Sequence, residues 1–161
     1  MTVNFALRHT AAIAAALALV LGSAQPLMAK SEDAYWVSTS KAQANMRVGP
    51  GRDYRISWTY VRKGVPLKVL RVMGGWRLVE DKDGSRGWIL QQFLSRERTA
   101  FVIGVVSDVR EKKDGSGGVM WRVEPGVIGK LGECEADWCA FDIEGRKGFI
   151  RANNVWGAQK P

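Results

Sequence analysis

Apolar and polar residues alternate along much of the chain with the period of two that is typical of half-buried β-strands. The clearest example joins Trp76–Asp81, which is rich in strand formers, to the apolar segment Arg86–Leu90 through the turn-forming residues Lys82–Ser85. This arrangement predicts a β-hairpin. No segment keeps a helical period over three turns, so the pattern predicts an all-β protein.

The same alternation predicts strands on both sides of this hairpin. They are Ala34–Ser40, Ile56–Val61, Val65–Met73, Ala100–Val106, Val119–Val123 and Val127–Leu131. Within the third of these, the apolar phase slips between Val69 and Leu70, which indicates a bulge. The segment Gln91–Phe93 is predicted to form a short helical turn.

A second copy of the hairpin plan lies at Trp138–Ile150, where tryptophan, strand, turn glycine and a Gly-aromatic-Ile triplet follow in order. Val65 precedes Trp76 by 11 residues, and Val127 precedes Trp138 by 11. The polar segment Ser95–Thr99 separates the copies. We therefore expect a tandem duplication, with one domain over residues 33–95 and a divergent one over residues 100–157.

The N-terminal residues 1–29 have the pattern of a secretory signal peptide. Arg8 supplies positive charge, Ala11–Leu21 is an uninterrupted apolar run, and small residues allow cleavage after Ala24 or Ala29. A short membrane anchor is the alternative, but a spanning helix needs about 20 apolar residues. The pattern predicts a periplasmic or secreted protein with no stable membrane span in the mature chain.

Basic charge is concentrated in the first predicted domain. Residues 30–99 contain 14 Lys and Arg against 7 Asp and Glu, whereas residues 100–161 contain 9 of each. A basic half in an exported protein indicates an anionic partner, such as an envelope polymer or an acidic protein, although such charge also serves solubility alone. Export argues against nucleic acid as the partner.

The chain has two cysteines, Cys134 and Cys139. In an exported protein such a pair predicts a disulfide, which here closes a loop of six residues and is worth about 2 kcal/mol on the chain-entropy model. A redox pair is a weaker alternative, because the spacing is not Cys-x-x-Cys and no βαβ pattern surrounds it. A metal site is weaker still, because the one histidine, His9, lies in the predicted signal. No metal or other cofactor is indicated.

The first half carries an ordered set of motifs that resembles a bacterial SH3-like (SH3b) domain. The motifs are Asn45–Gly51, Arg62–Gly64, Gly75-Trp76, Asp83-Gly84 and Gly87–Ile89, followed by Leu94. The second half is similar but looser, and lacks the Gly-Pro loop. The pair resembles exported proteobacterial tandem SH3-like proteins of poorly defined role. The resemblance implies two small five-stranded barrels that bind rather than catalyse, and relatives often recognise peptidoglycan.

The resemblance also implies a ligand groove in the first domain. Trp76 matches the tryptophan that lines the groove of eukaryotic SH3 domains, although Leu90 stands where a groove proline is usual. The other candidate groove residues are Tyr54, Tyr60, Arg47, Arg52, Arg55 and Lys63. The alternative is that the three aromatic residues only fill the barrel.

These observations predict a non-catalytic binding module of the cell envelope. Its expected ligand is peptidoglycan or a wall peptide, held in a basic, aromatic-lined groove of the first domain. The alternative is a subunit that docks on a periplasmic enzyme or transporter through a barrel edge or the segment Phe101–Val106. An enzyme is disfavoured, because the predicted mature chain has no histidine base and its cysteines are expected to be oxidised.

Overall fold

The computed structural model describes Met1 and residues 33–161, which contain two antiparallel sheets of seven strands each. Apart from Met1, the predicted signal segment lies outside the described residues. The first sheet consists of β1 (Tyr35–Thr39), β2 (Ala44–Arg47), β3 (Ile56–Tyr60), β4 (Pro66–Met73), β5 (Trp76–Glu80), β6 (Arg86–Leu90) and β7 (Leu94–Ser95).

The second sheet repeats the first strand for strand. It consists of β8 (Thr99–Val102), β9 (Ser107–Arg110), β10 (Val119–Val123), β11 (Ile128–Glu135), β12 (Trp138–Ile143), β13 (Arg146–Arg151) and β14 (Val155–Trp156). The strand order is β3-β2-β6-β5-β4-β1-β7 in one sheet and β10-β9-β13-β12-β11-β8-β14 in the other. Adding seven to each number of the first order gives the second, so the all-β fold and its tandem arrangement are confirmed.

Each sheet has two strands more than the five that the alternation predicts. The additional strands are β2 and β7 in the first sheet, and β9 and β14 in the second. With four residues in β2 and β9 and two in β7 and β14, they are too short for an alternating pattern to identify them.

One predicted strand is too long. The segment Ala100–Val106 stays in the sheet only as far as Val102, and Gly104 then takes a left-handed conformation with φ of 75°. This conformation turns the chain out of the sheet, and it leaves Val105 and Val106 exposed to solvent.

The bulge and the helical turn follow the sequence pattern. The pairing of β4 with β5 shifts register between Val69 and Arg71, where the apolar phase slips. Gln91–Phe93 forms a 3-10 turn, and Ala152–Asn154 forms its counterpart in the second sheet. Within residues 33–161, no helix is long and apolar enough to cross a membrane.

Two glycines permit β-strands to approach closely in the cores. Gly87 on β6 lies against β2, and a Cβ atom there would meet Met46 Cγ at 2.5 Å and the Arg47 carbonyl oxygen at 2.8 Å. Gly148 on β13 has the same place against β9, where a Cβ would collide with the Val109 side chain. The repeated Gly-aromatic-Ile triplet therefore serves the architecture of both sheets.

The second sheet also contributes to the packing of the first. Trp36 on β1 is 7% exposed, its indole N–H donates to the Gln159 carbonyl at 2.8 Å, and its ring meets Trp156 edge-on at a centroid distance of 4.7 Å. Phe101 and Ile128 of the second sheet pack against the first hydrophobic core. Both sheets lie in one compact unit.

Candidate ligand-binding site

A cavity of about 170 Å³ opens at one end of the first sheet. Its lining comes from β2, the following loop, the start of β5, the end of β6 and the 3-10 turn, and consists of Asn45, Arg47, Arg52, Trp76, Leu90, Gln92 and Phe93. The sheet order explains the convergence, because β6 lies between β2 and β5. Trp76 is half-buried and pairs with Leu90 across the sheet.

The loop between β2 and β3 forms one wall of this cavity and is held by its own hydrogen bonds. The Arg47 guanidinium donates to the Tyr54 carbonyl at 2.6 Å, and the Val48 N–H donates to the Arg55 carbonyl at 3.1 Å. The Tyr54 ring lies directly on Gly49, where any side chain would collide with it. The loop is therefore a defined structure that fixes the position of Arg52.

The cavity has a positive and partly apolar lining. Arg47 uses a guanidinium donor on the loop, whereas the Arg52 side chain makes no hydrogen bond or ion pair with the residues that the structure describes. Trp76 and Phe93 supply aromatic surface. The Asn45 side-chain oxygen accepts a hydrogen bond from Thr59 at 2.9 Å. This combination suits an anionic ligand with an apolar body.

Four residues predicted for the groove do not line the cavity. Tyr54 is 50% exposed but packs on the loop, and Arg55 and Lys63 are exposed elsewhere. Tyr60 is 8% exposed, belongs to the first hydrophobic core, and donates its hydroxyl to Asp81 at 3.1 Å. The structure thus brings together only Trp76, Arg47 and Arg52 of the seven candidates.

The environment of Tyr60 keeps its hydroxyl neutral. Burial raises the pKa of Tyr60 far above its ordinary value, and the neighbouring Asp81 carboxylate raises it further. Tyr60 also reaches the wall of a second cavity, of about 290 Å³, near the exposed side chains of Trp58 and Val61. The role of Tyr60 in the described structure is that of a core residue with a satisfied polar end.

Sequence reasoning did not identify Asn45, Gln92 and Phe93 as cavity residues, and it noted Leu90 only as standing where a groove proline is usual. The sequence pattern predicts the helical turn at Gln91–Phe93 that contains two of these residues, but it does not predict that this turn lies beside Trp76. That connection depends on pairing between β5 and β6, which places Leu90 and the turn beside the tryptophan.

The second sheet contains the predicted disulfide. Cys134 on β11 and Cys139 on β12 are bonded and lie directly opposite each other in the strand register. The bond therefore closes the hairpin near its turn. Among the described residues, no group of three His, Cys, Asp or Glu side chains is placed to hold a metal ion.

The structure therefore has two tandem seven-stranded sheets with the same strand order, and the cavity described above lies between a loop, a tryptophan at the start of a strand and a 3-10 turn. A family model described as bacterial SH3 domain matches residues 40–96 and 108–157. The chain belongs to this family. Domains of the family are usually non-catalytic and bind cell-wall components or proteins.

Comparisons with individual proteins add little to this assignment. None of the curated proteins compared with the chain matches it. Among solved structures, NlpC1 from Trichomonas vaginalis is similar at 10% identity with a TM-score of 0.36, covering 79% of this chain and 47% of that one. NlpC2 from the same organism is similar at 9% identity with a TM-score of 0.35, and the match covers 76% of this chain and 48% of that one. The matched part of this chain thus spans about half the length of either structure.

Proposed function

We propose that this protein is a non-catalytic binding module of the cell envelope, periplasmic or secreted, with domains over residues 33–95 and 100–157. The first domain recognises peptidoglycan or a wall peptide in the cavity lined by Trp76, Arg47 and Arg52. Wall peptides carry carboxylates beside small apolar side chains, and this chemistry is complementary to the Arg52 guanidinium beside the Trp76 indole.

The observation that carries this proposal is the convergence of Arg52 and Trp76 on one cavity. The concentration of basic charge in residues 30–99 supports it, because it attracts an anionic polymer to the domain that contains the cavity. The membership of the bacterial SH3 family supports a binding role as well.

Sedimentation of the mature protein with purified peptidoglycan, at low and high salt, tests this function. We expect Arg52→Gln to weaken binding by roughly 10- to 100-fold, because it removes a charge-assisted hydrogen bond worth about 1.5–3 kcal/mol. Trp76→Phe, which keeps most of the buried area, is expected to weaken it less.

Arg55→Gln is the matched control, because Arg55 lies on the same loop and is exposed but does not line the cavity. Arg55→Gln changes the net charge of the protein by the same amount as Arg52→Gln. If both variants bind equally weakly, general charge attraction rather than the cavity is responsible. If wild-type protein does not bind at any salt concentration, wall recognition is wrong.

A second candidate function is docking on an envelope protein. The observation that favours it is the exposure of Trp58 and Val61, at 59% and 79%, beside the cavity of about 290 Å³. Exposed aromatic residues of this kind are typical of interaction surfaces. Co-purification of one defined envelope protein that is lost with Trp58→Ser and kept with Arg52→Gln would select this function over wall binding.

A further inference from the structure

The second sheet has a cavity at the place that corresponds to the first one. It measures about 380 Å³ and is lined by Val106, Ser107, Asp108, Arg110, Gly115, Trp138, Arg151 and Asn154. Arg110 corresponds to Arg47, because Arg110 pairs with Phe149 in the same way as Arg47 pairs with Trp88. Trp138, like Trp76, is the first residue of its strand. The duplication therefore retained a cavity as well as a fold.

The chemistry of this second cavity differs at one decisive position. Trp76 pairs with Leu90, whereas Trp138 pairs with Arg151. The Arg151 guanidinium lies over the Trp138 ring, with its central carbon 5.0 Å from the ring centroid. An apolar wall of the first cavity is thus replaced by a cation that the indole orients.

Of the charged side chains that line this cavity, Arg151 is the one that can bind an anionic ligand. Asp108 is paired with Arg122 at 2.9 Å and lies 3.8 Å from Arg110. Arg110 also donates to the carbonyls of Gly115 and Gly117, each at 3.3 Å. In contrast, the Arg151 side chain has no hydrogen bond or ion pair with any residue of the described range 33–161. The cavity therefore presents an uncompensated positive charge.

An ordered loop forms one wall of the cavity. Gly115 lies against the Trp138 ring so closely that a side chain there would collide with it, and its φ of 74° also favours glycine. The Gly115 N–H donates to the Lys112 carbonyl at 3.0 Å, and the Glu111 N–H donates to the Gly118 carbonyl at 3.2 Å. This glycine-rich loop is therefore shaped around the tryptophan.

We propose that this cavity is a second binding site, which takes the free C-terminal carboxylate of a short peptide with small apolar side chains. A guanidinium that stacks on an indole keeps its edge donors free, and their planar fork matches a carboxylate. Asn154 adds a neutral polar group to the lining, and the 46% exposed Val106 contacts the apolar part, while the buried Trp138 ring holds Arg151 in place. This site makes the second domain a receptor in its own right and does not depend on the ligand of the first domain.

Titration of the full chain with N-acetyl-Ala-Ala, followed by NMR of the indole N–H groups, tests this site. The C-terminal amide of the same peptide is the ligand control. We expect the acid to shift the Trp138 signal and the amide to bind at least about tenfold more weakly. Arg151→Gln is expected to cause a similar loss for the acid.

Arg146→Gln is the matched protein control. Arg146 lies over Trp121 at 4.8 Å, in a similar stack on the same sheet, but it does not line the cavity. We expect this variant to bind the acid as wild type does. Equal binding of acid and amide, an unchanged affinity of Arg151→Gln, or displacement of the peptide by equimolar inorganic phosphate would each overturn the proposal. A shift of the Trp76 signal without a shift of the Trp138 signal would assign the peptide to the first cavity instead.

Discussion

The crowding of Gly87 against β2 leads to a quantitative prediction about this residue. A Cβ at this position would lie 2.5 Å from Met46 Cγ and 2.8 Å from the Arg47 carbonyl oxygen. Met46 is only 2% exposed and is confined by the core, and a carbonyl oxygen yields only if β2 moves. Overpacking of a tight core costs about 1–3 kcal/mol. We expect Gly87→Ala to lie at the upper end, because one of the obstructing atoms belongs to the backbone.

Urea unfolding followed by tryptophan fluorescence measures this loss. Gly118→Ala is the control, because a Cβ there meets nothing within 4 Å and Gly118 does not have a positive φ. This variant is expected to be neutral or stabilising by up to about 1 kcal/mol, because alanine lowers the conformational entropy of the unfolded chain. If the two variants unfold at the same urea concentration, the crowding argument is wrong. Arg47 also lines the first cavity, so Gly87→Ala is expected to weaken ligand binding there.

Two further predictions concern Tyr60 and the disulfide. Tyr60→Phe removes the hydrogen bond to Asp81 and is expected to cost about 1–2 kcal/mol at pH 7. Folding raises the pKa of Tyr60, so as the pH rises above about 10 the tyrosine ionises first in the unfolded chain. Wild type therefore loses stability above this pH, and the difference in stability between wild type and Tyr60→Phe narrows. If the urea midpoints of the two proteins differ more at pH 11 than at pH 7, this reasoning is wrong. Reduction of Cys134–Cys139 is expected to lower the free energy of unfolding by about 2 kcal/mol, because the bond closes a loop of only six residues. A Cys134→Ser/Cys139→Ser variant that is insensitive to reductant provides the control, and an unchanged urea midpoint on reducing the wild type would contradict the estimate.

The features of the fold that the sequence predicts are local ones. A β-hairpin, a phase slip such as that at Val69, and a turn such as Gln91–Phe93 each depend on a few neighbouring residues. The duplication is visible because the spacing from Val65 to Trp76 recurs in the second half. Strands of two to four residues leave no period to detect, so β2 and β7 were not predicted.

The candidate site was predicted less completely, because it depends on contacts between distant segments. Ile56, Trp58 and Tyr60 share one phase of the alternation, yet they are 41%, 59% and 8% exposed. β3 is an edge strand of the first sheet, and only its end at Tyr60 reaches the core, so alternation along the strand does not predict which of its residues are buried. In the same way, Arg151 joins the second cavity only through its pairing with Trp138.

The contact of Trp36 with Trp156 and Gln159 bears on how this duplication can evolve. Tandem copies that fold separately remain exchangeable, since either can be lost or moved to another gene without damage to its neighbour. Here the later copy covers an indole of the earlier one and extends its core with Phe101 and Ile128. A mutation in the second copy thus acts on the first, and a first copy transferred alone would carry an uncovered tryptophan. The two copies are inherited as one selectable unit, even while their cavities remain free to diverge.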